Sequence, residues 1–454
     1  MRTEFNFYGY CSPTNGKYYI DGNEYSMGED FRNVKRYKEY KNVGFTILLL
    51  QAENSYNGED FETSACNLCM TEAVKAGIDK IIVSDQRLKD LCAEKELVGE
   101  SGRFKSQTEL MEYLDFCTKP YRDKQGFYGV QLLDEPSWEK LKAYGQVIKG
   151  LKKLLPNIYL QSNLLNMVEP KRLAENETNT FVAYDKYLNL FLDESGSNSL
   201  MYDDYPFRRD YIICGYSIRN YQQCAEICKN RGVEFYTVLQ SFSWVSNGRL
   251  VMRRITEPDM RWQSNMAMGF GVRDFAFFTY FTKPRVRLKD AFNTDGIDGT
   301  AFINRDGSRT KLYYYAKKII AEMKAFAPVM LKYDYQNSYI LCEKGKSPED
   351  FEQTKYAILN EDCPISVQPN EGVTLVTEHR GKDGKSVLYM VENIGNIKHE
   401  LYGGKPQRVR ISLGEGAVVK IYHRGKQIDK KINNGSFTQV LRVGDAIFIE
   451  MENK

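Results

Sequence analysis

The first third of the chain contains the run Tyr128-Gly129-Val130-Gln131-Leu132-Leu133-Asp134-Glu135-Pro136. Its first six residues are apolar enough for a buried strand, which then meets two adjacent acids. Pro136 stops the strand and begins a helical pattern over Ser137–Leu155. Because neighbouring strand residues point to opposite sides, Asp134 and Glu135 cannot share one role. The run predicts a strand–helix unit that presents two carboxyl groups. The structural alternative is that Asp134 caps the helix and Glu135 faces its dipole.

Short apolar or β-branched runs alternate with amphipathic helical patterns before and after this unit. Such alternation indicates repeated βα units with parallel strands. Eight strands are predicted, at Phe5–Cys11, Phe45–Ala52, Lys80–Ser84, Tyr128–Leu133, Ile158–Asn163, Leu200–Asp203, Glu234–Gln240 and Asp274–Thr279. Eight units predict an α/β protein with a (β/α)₈ TIM barrel. An open doubly wound sheet competes, but no glycine-rich G-x-G-x-x-G turn follows the first strand.

The pattern changes after the eighth unit. The helical run Thr310–Phe326 is expected to end at Ala327-Pro328, because proline cannot continue a helix. Short strands separated by turns then follow, at Ser338–Cys342, Gly372–Glu378, Lys385–Glu392, Gln407–Ser412, Val418–His423 and Asp445–Glu450. We therefore predict a catalytic barrel over residues 1–328 and a C-terminal antiparallel β-sandwich accessory domain over residues 329–454.

The composition favours a carbohydrate partner. The chain has 63 basic and 60 acidic residues and no long basic run, so no nucleic acid is indicated. Its 32 Tyr and 24 Phe suit stacking on sugar rings. No apolar run is long enough for a membrane span or a signal peptide, and the cysteines lack a disulfide-scaffold spacing. We expect a cytoplasmic protein with reduced thiols, and its oligomeric state stays open.

Histidine limits the chemistry. His379, His399 and His423 all lie in the predicted C-terminal domain. A Ser-His-Asp or Cys-His mechanism in the barrel is therefore excluded, and so is a His-ligated catalytic metal. No cofactor or metal is predicted, because phosphate-binding and nicotinamide-binding signatures are missing as well. Carboxylates remain as the acid–base groups, which points to glycoside hydrolysis.

In such barrels the active site lies at the carboxyl ends of the strands. There we place the catalytic candidates Asp134 and Glu135. The predicted substrate-binding residues are the other polar and aromatic residues at these ends, namely Tyr8, Tyr10, Asp85, Asn163, Asp203, Asp204, Tyr205, Gln240, Trp244 and Tyr280. Aromatic planes, amides and carboxylates on one face are what a carbohydrate needs.

The strand-four motif Asp134-Glu135-Pro136 resembles glycoside hydrolase family 123, the β-N-acetylgalactosaminidases, and less closely other substrate-assisted hexosaminidases. The resemblance covers about residues 1–325, without that family's usual N-terminal β-domain. It implies that Asp134 orients the substrate's 2-acetamido group, whose oxygen attacks the anomeric carbon. Glu135 would protonate the leaving oxygen and then activate water. The segment Tyr202-Asp203-Asp204-Tyr205 resembles strand-six segments that hold the sugar.

A second resemblance is to the clan A retaining glycosidases, such as β-galactosidase-like enzymes. These carry an acid/base Glu after strand four, which Glu135 matches, and a nucleophilic Glu at the end of strand seven. Gln240 occupies that second position, and an amide cannot form a glycosyl ester. Asp203, Asp204 or Glu257 is the alternative nucleophile. A non-catalytic glycan-binding barrel is the third interpretation.

Overall fold

The computed structural model describes residues 2–20, 22–167, 169–208, 214–246, 249–282, 285–286, 301–351, 354–395, 406–432 and 434–452. Its N-terminal part contains the strands β1 (Asn6–Gly9), β2 (Lys17–Ile20), β3 (Asn23–Ser26), β4 (Leu48–Leu50), β5 (Ile81–Ser84), β6 (Phe127–Gln131), β7 (Tyr159–Gln161), β8 (Asn163–Leu164), β9 (Ser199–Asp203), β10 (Glu234–Gln240), β11 (Trp244–Ser246), β12 (Arg249–Met252), β13 (Val272–Phe278) and β14 (Arg285–Val286).

The parallel strands form two sheets. One has the order β4-β5-β6-β7 and the other β8-β9-β10-β13-β1. Each predicted strand overlaps one of these strands, or two in the case of the fifth, which Ser162 divides into β7 and β8. At the far edges, the backbone N–H of Thr46, just before β4, donates to the Phe7 carbonyl of β1 at 2.8 Å. The N-terminal part is therefore α/β with parallel strands, as predicted.

Both faces of these strands are apolar. One face packs on the helices, while residues of the other face form a separate cluster that draws on both sheets and includes Tyr8, Leu49, Ile82, Val238 and Ala276. Members of both sheets therefore contact each other across one interior. This interior lies beneath the carboxyl ends of the strands, where the predicted site residues follow.

The helices are α1 (Val34–Asn42), α2 (Ala65–Lys75), α3 (Gln86–Cys92), α4 (Gln107–Thr118), α5 (Leu141–Leu154), α6 (Pro170–Leu173), α7 (Thr180–Ser195), α8 (Cys214–Arg231), α9 (Glu257–Gly269) and α10 (Lys311–Met330). The prediction that Ala327-Pro328 ends the last helix is wrong, because α10 continues to Met330. A proline this near the helix end removes a single backbone donor, and Leu331 N still donates to the Ala327 carbonyl at 3.0 Å. No helix in the described ranges has the length and apolar content of a membrane span.

The C-terminal part is antiparallel, as predicted. Its strands are β15 (Tyr333–Cys342), β16 (Ser366–Pro369), β17 (Val373–Gly381), β18 (Ser386–Asn393), β19 (Gln407–Ser412), β20 (Val418–His423), β21 (Lys426–Lys431), β22 (Ser436–Leu441) and β23 (Ala446–Glu452). One sheet has the order β15-β17-β18-β23-β20-β21 and the other β16-β19-β22. Their apolar residues share a core that includes Val376, Ile447, Val409 and Phe437. The larger sheet packs on α10, with the rings of Phe326 and Phe448 4.3 Å apart.

Candidate active site

Three carboxyl groups meet at the carboxyl ends of the fourth and sixth strands of the βα repeat. Asp134 and Glu135 follow β6, and Asp203 is the last residue of β9. Asn163, on β8 between them, donates from Nδ2 to Asp134 Oδ1 and to Asp203 Oδ1, both at 3.0 Å. The backbone N–H of Glu135 donates to the Asn163 carbonyl at 2.9 Å. One asparagine therefore joins the acidic pair to the third acid.

The backbone separates the roles of the two adjacent acids. Glu135 has a φ of +48°, in the left-handed region that side chains other than glycine seldom adopt. This turn lies between the end of β6 and Pro136, before the helical segment. Asp134 is exposed, whereas Glu135 is half-buried. Holding a glutamate in this conformation costs about 1 kcal/mol, which is the kind of local strain that clusters at functional sites.

The surroundings of Glu135 favour its protonated form. Burial, together with the negative charge of Asp134, raises the pKa of Glu135, while a hydrogen bond with Asp203 and the charge of Arg172 act in the opposite direction. Burial and the charges of Glu135 and Asp134 raise the pKa of Asp203 well above its usual range. A hydrogen bond between two carboxyl groups requires a proton on one of them. The pair therefore holds a proton at a pH where isolated carboxyl groups are ionised.

An aromatic wall lies beside the carboxyl groups. The Tyr205 hydroxyl donates to Asp203, and its ring stacks on Phe278 at 5.7 Å and meets the edge of Phe242 at 5.1 Å. Tyr10 lies 5.6 Å from Phe278, and its hydroxyl accepts a hydrogen bond from Gln161 Nε2 at 2.6 Å. Tyr10 and Tyr205, both predicted, thus lie in one aromatic group beside the acids. This pairing of rings and carboxylates suits a sugar with an apolar face and a polar rim.

Sequence reasoning missed several neighbours of this group. Lys89 on α3 is half-buried and donates to Gln131 Oε1 at 3.0 Å. The negative charge of Asp134 acts on the pKa of Lys89. The positive charge of Arg172 on α6 lowers the pKa of Glu135. Neither cation is at a strand end, so no strand pattern could have singled it out. Phe278 does close the eighth strand, but an apolar strand residue carries no sign of its function.

Two predicted residues serve the fold instead of the group. Asp85 is fully buried, accepts from the backbone N–H of Arg87 at 3.0 Å and pairs with the Arg87 guanidinium at 2.7 Å, so it caps α3. Tyr121 also donates to Asp85, at 3.0 Å. Gln240 accepts from the Phe207 N–H at 3.0 Å and donates to the Phe207 and Phe242 carbonyls at 3.3 Å. The side chain of Gln240 is thus occupied by the backbone of the neighbouring loop.

Two more predicted residues face away from the acids. Asp204 turns to the opposite side from Asp203, towards Ser217 on α8, and burial raises its pKa to about 6. Tyr280 is buried among the aromatic rings behind the strands, 4.8 Å from Tyr40 and 5.7 Å from Phe45.

The remaining two predicted residues are Tyr8 and Trp244. Tyr8 is buried in the apolar interior shared by the two parallel sheets, with its ring 6.5 Å from that of Tyr10 and its hydroxyl 3.5 Å from Met201 Sδ. Trp244 begins β11 just after the seventh strand of the repeat, and its side chain is exposed. Within the described ranges, no three His, Cys, Asp or Glu side chains are placed to hold a metal ion together.

Comparison with known proteins gives no family model and no curated protein that matches the chain. Solved structures do match. A β-galactosidase from Bacillus circulans sp. alkalophilus is 9% identical, with a TM-score of 0.55 over 99% of each chain. A glycoside hydrolase family 5 protein from Bacteroides vulgatus ATCC 8482 is 11% identical, with a TM-score of 0.52 over 99% of this chain and 89% of that one. An α-amylase from Geobacillus thermoleovorans is 12% identical, with a TM-score of 0.51 over 100% of both chains. The chain therefore shares the fold of these three proteins.

Proposed function

We propose that this protein is a glycoside hydrolase whose two parallel sheets form one (β/α)₈ barrel over residues 1–328, with an accessory β-sandwich domain over residues 329–454. The observation that carries the proposal is the joined group of Asp134, Glu135 and Asp203. Cleavage of a glycosidic bond needs a carboxyl group that is still protonated near neutral pH, together with a second carboxylate. The upward shift of the Glu135 pKa favours the protonated form that the first role needs, and Asp134 or Asp203 supplies the second carboxylate. The shared fold of solved glycoside hydrolases supports the same class.

We further propose a retaining β-N-acetylhexosaminidase, acting on N-acetylgalactosaminides and using the substrate's own acetamido group as nucleophile. The end of the seventh strand supports this mechanism, because the amide of Gln240 is bonded to the Phe207 and Phe242 backbone and offers no carboxylate. Asp134 then polarises the acetamido group, and Glu135 protonates the leaving oxygen before it activates water. Asp203 and Tyr205 would hold a sugar hydroxyl or the acetamido group.

The test compares aryl β-glycosides with and without the 2-acetamido group. We expect hydrolysis of the N-acetyl-β-galactosaminide and negligible turnover of the plain galactoside. Removing a general acid costs roughly 10²–10⁴-fold, so Glu135→Gln should lose at least that much on p-nitrophenyl substrates and less on better leaving groups. Asp134→Asn should lose activity on both. Glu139→Gln removes an exposed carboxylate four residues away, which pairs with Lys95 at 3.4 Å, and serves as the matched control. Equal rates on the plain and N-acetyl sugars contradict substrate assistance.

A second candidate is a retaining exoglycosidase with a covalent intermediate. One observation favours it: Asp203 supplies another carboxyl group within hydrogen-bond reach of Glu135, on a different strand. By contrast, Glu257 begins α9 and pairs with Arg261 at 3.0 Å and Lys318 at 2.9 Å. In this mechanism a 2-fluoro sugar should label Asp203, and mass spectrometry of the digested protein would locate the adduct. An unlabelled protein that still turns over N-acetyl sugars excludes it. Binding without turnover across the whole panel indicates a glycan-binding barrel instead.

A further inference from the structure

A cavity of about 870 Å³ lies between the barrel helices and the C-terminal sheets. The loop that leads into α9 forms one side of the cavity, the first turns of α10 a second, and residues 442–445, between β22 and β23, a third. None of Asp134, Glu135 and Asp203 lines it. This cavity is therefore separate from the candidate active site. Its volume falls within the range of small-molecule sites, about 300–1,000 Å³.

The lining is strongly cationic. It includes six Lys or Arg residues and two acids, in a chain whose net charge is only +3. Both acids are already neutralised, Glu257 by Arg261 and Lys318, and Asp445 by Arg424 at 2.7 Å. Three cations are left over, all exposed and without a side-chain partner in the described part of the chain: Arg254, Lys311 and Arg442. Three uncompensated cations around one cavity form a field that attracts anions.

The start of α10 adds to this field. Its N-cap residue Thr310 makes no side-chain cap. The Thr310 hydroxyl instead donates to the Ala301 and Phe302 carbonyls, at 2.7 Å and 3.1 Å. Among the described residues, the positive end of this twenty-residue helix therefore opens on the cavity with no side-chain cap from Thr310 and no acid in its first turn. The start of α9, in contrast, is closed by a capping box between Thr256 and Asp259.

The rest of the lining mixes apolar and aromatic residues with the uncharged polar residues Thr256, Asn304 and Thr310. Ile255 and Leu312 are buried, and Tyr315 is half-buried. An inorganic anion alone would leave most of a cavity of this volume empty. A ligand that fills the cavity would have a compact anionic group that binds the cations. It would also have a body of about the size of a sugar, which contacts Ile255, Leu312 and Tyr315.

We propose that this cavity is a second ligand site, and that it binds a small molecule carrying a phosphate or sulfate ester. The unpaired Arg254 and Arg442 present planar guanidinium groups, which suit the oxygens of such esters. Lys311 and the first turn of α10 complete the anion site. The proposal does not depend on the chemistry at Asp134 and Glu135, so it survives if the proposed hydrolase activity is not found.

Isothermal titration of the full chain tests the proposal with glucose 6-phosphate, glucose 6-sulfate and glucose as probes. The double variant Arg254→Gln/Arg442→Gln removes two exposed cations that make no side-chain hydrogen bond or ion pair with the described residues. Its control is Lys38→Gln/Lys149→Gln, which removes two exposed lysines from α1 and α5 and changes the net charge equally. Thermal unfolding of each variant verifies that it is folded.

At least one ester should bind the wild type and the control equally. The Arg254→Gln/Arg442→Gln variant should bind that ester at least about tenfold more weakly, because a hydrogen bond to a charged group is worth about 1.5–3 kcal/mol. The difference between the two esters then tells phosphate from sulfate. The proposal is overturned if neither ester binds the wild type, if glucose binds as well as its esters, or if the arginine variant binds an ester like the wild type.

Discussion

Asn163→Ala is the sharpest perturbation of the candidate site. Asn163 Nδ2 has two hydrogens, and each is donated to a different carboxyl group, on Asp134 and on Asp203, at 3.0 Å. Asp134 is the residue proposed to hold the acetamido group. We therefore estimate the loss of catalytic rate from the hydrogen bond between Asn163 and Asp134 only. A hydrogen bond to a charged group is worth about 1.5–3 kcal/mol, which corresponds to a loss of about 10- to 150-fold in kcat/KM.

The assay is steady-state hydrolysis of an aryl N-acetyl-β-galactosaminide, with thermal unfolding measured in parallel. The matched control is Asn166→Ala, because Asn166 Nδ2 donates to the backbone carbonyl of Asp203 at 3.0 Å and to neither carboxyl group. Asn163→Asp provides a second check. A carboxyl group can donate a hydrogen bond only when it is protonated, so the activity of this variant should recover as the pH falls. The reasoning is refuted if Asn163→Ala stays within about twofold of the wild type, or if Asn166→Ala loses as much.

Three other predictions concern Asp203, Asp85 and Trp244. Burial and two neighbouring negative charges raise the pKa of Asp203, so its protonated form stabilises the fold at low pH and this contribution is lost as the pH rises through the raised pKa. Asp203→Asn should therefore unfold at a higher Tm than the wild type at neutral and alkaline pH, and at the same Tm in acid; the opposite order contradicts the assignment. Asp85→Ala removes a helix cap and leaves Arg87 without its partner, so urea unfolding should show a loss of about 3 kcal/mol with kcat/KM nearly unchanged. A large loss of kcat/KM would instead place Asp85 in the substrate site. The exposed Trp244 suits stacking on a sugar beyond the cleaved bond, so Trp244→Ala should raise KM for an oligosaccharide about fivefold and leave that for the aryl monosaccharide unchanged.

The sequence predicts the parallel strands well because they are buried on both faces. Leu48–Leu50 and Ile81–Ser84 consist almost entirely of β-branched or leucine residues, which leaves little choice of structure. The strand Lys426–Lys431 was missed, although it pairs with β20 along its whole length. All six of its residues are exposed, so it has no apolar period to detect. The backbone hydrogen bonds to β20 place this lysine-rich strand at the edge of its sheet.

We predicted the site residues from their position at the carboxyl ends of strands, and the structure brings some of them together but not others. Asp203 and Asp204 follow each other, and the alternation of strand residues sends one to Asn163 and the other to Ser217 on α8. The sequence predicts that the two side chains point to opposite sides of the strand, but it does not show which of them points inward. Tyr280 lies two residues beyond the last residue of its strand, where the alternation no longer holds, and packs against Tyr40 behind the strands.

Two buried carboxylates in the N-terminal part, Asp85 and Asp203, differ in what surrounds them. Asp85 is fully buried, and its oxygens are bonded to Arg87 and Tyr121, an arrangement that stabilises a helix start and leaves little capacity for chemistry. Asp203 is almost as buried, yet the charges that act most strongly on it, those of Glu135 and Asp134, are both negative. Burying several carboxyl groups of like charge together does not stabilise the fold, because each negative charge makes it harder to ionise the others. The fold does gain a carboxyl group that keeps its proton to a higher pH than an isolated one, and such a group can serve as the general acid of the proposed hydrolase, whose N-terminal part contains no histidine.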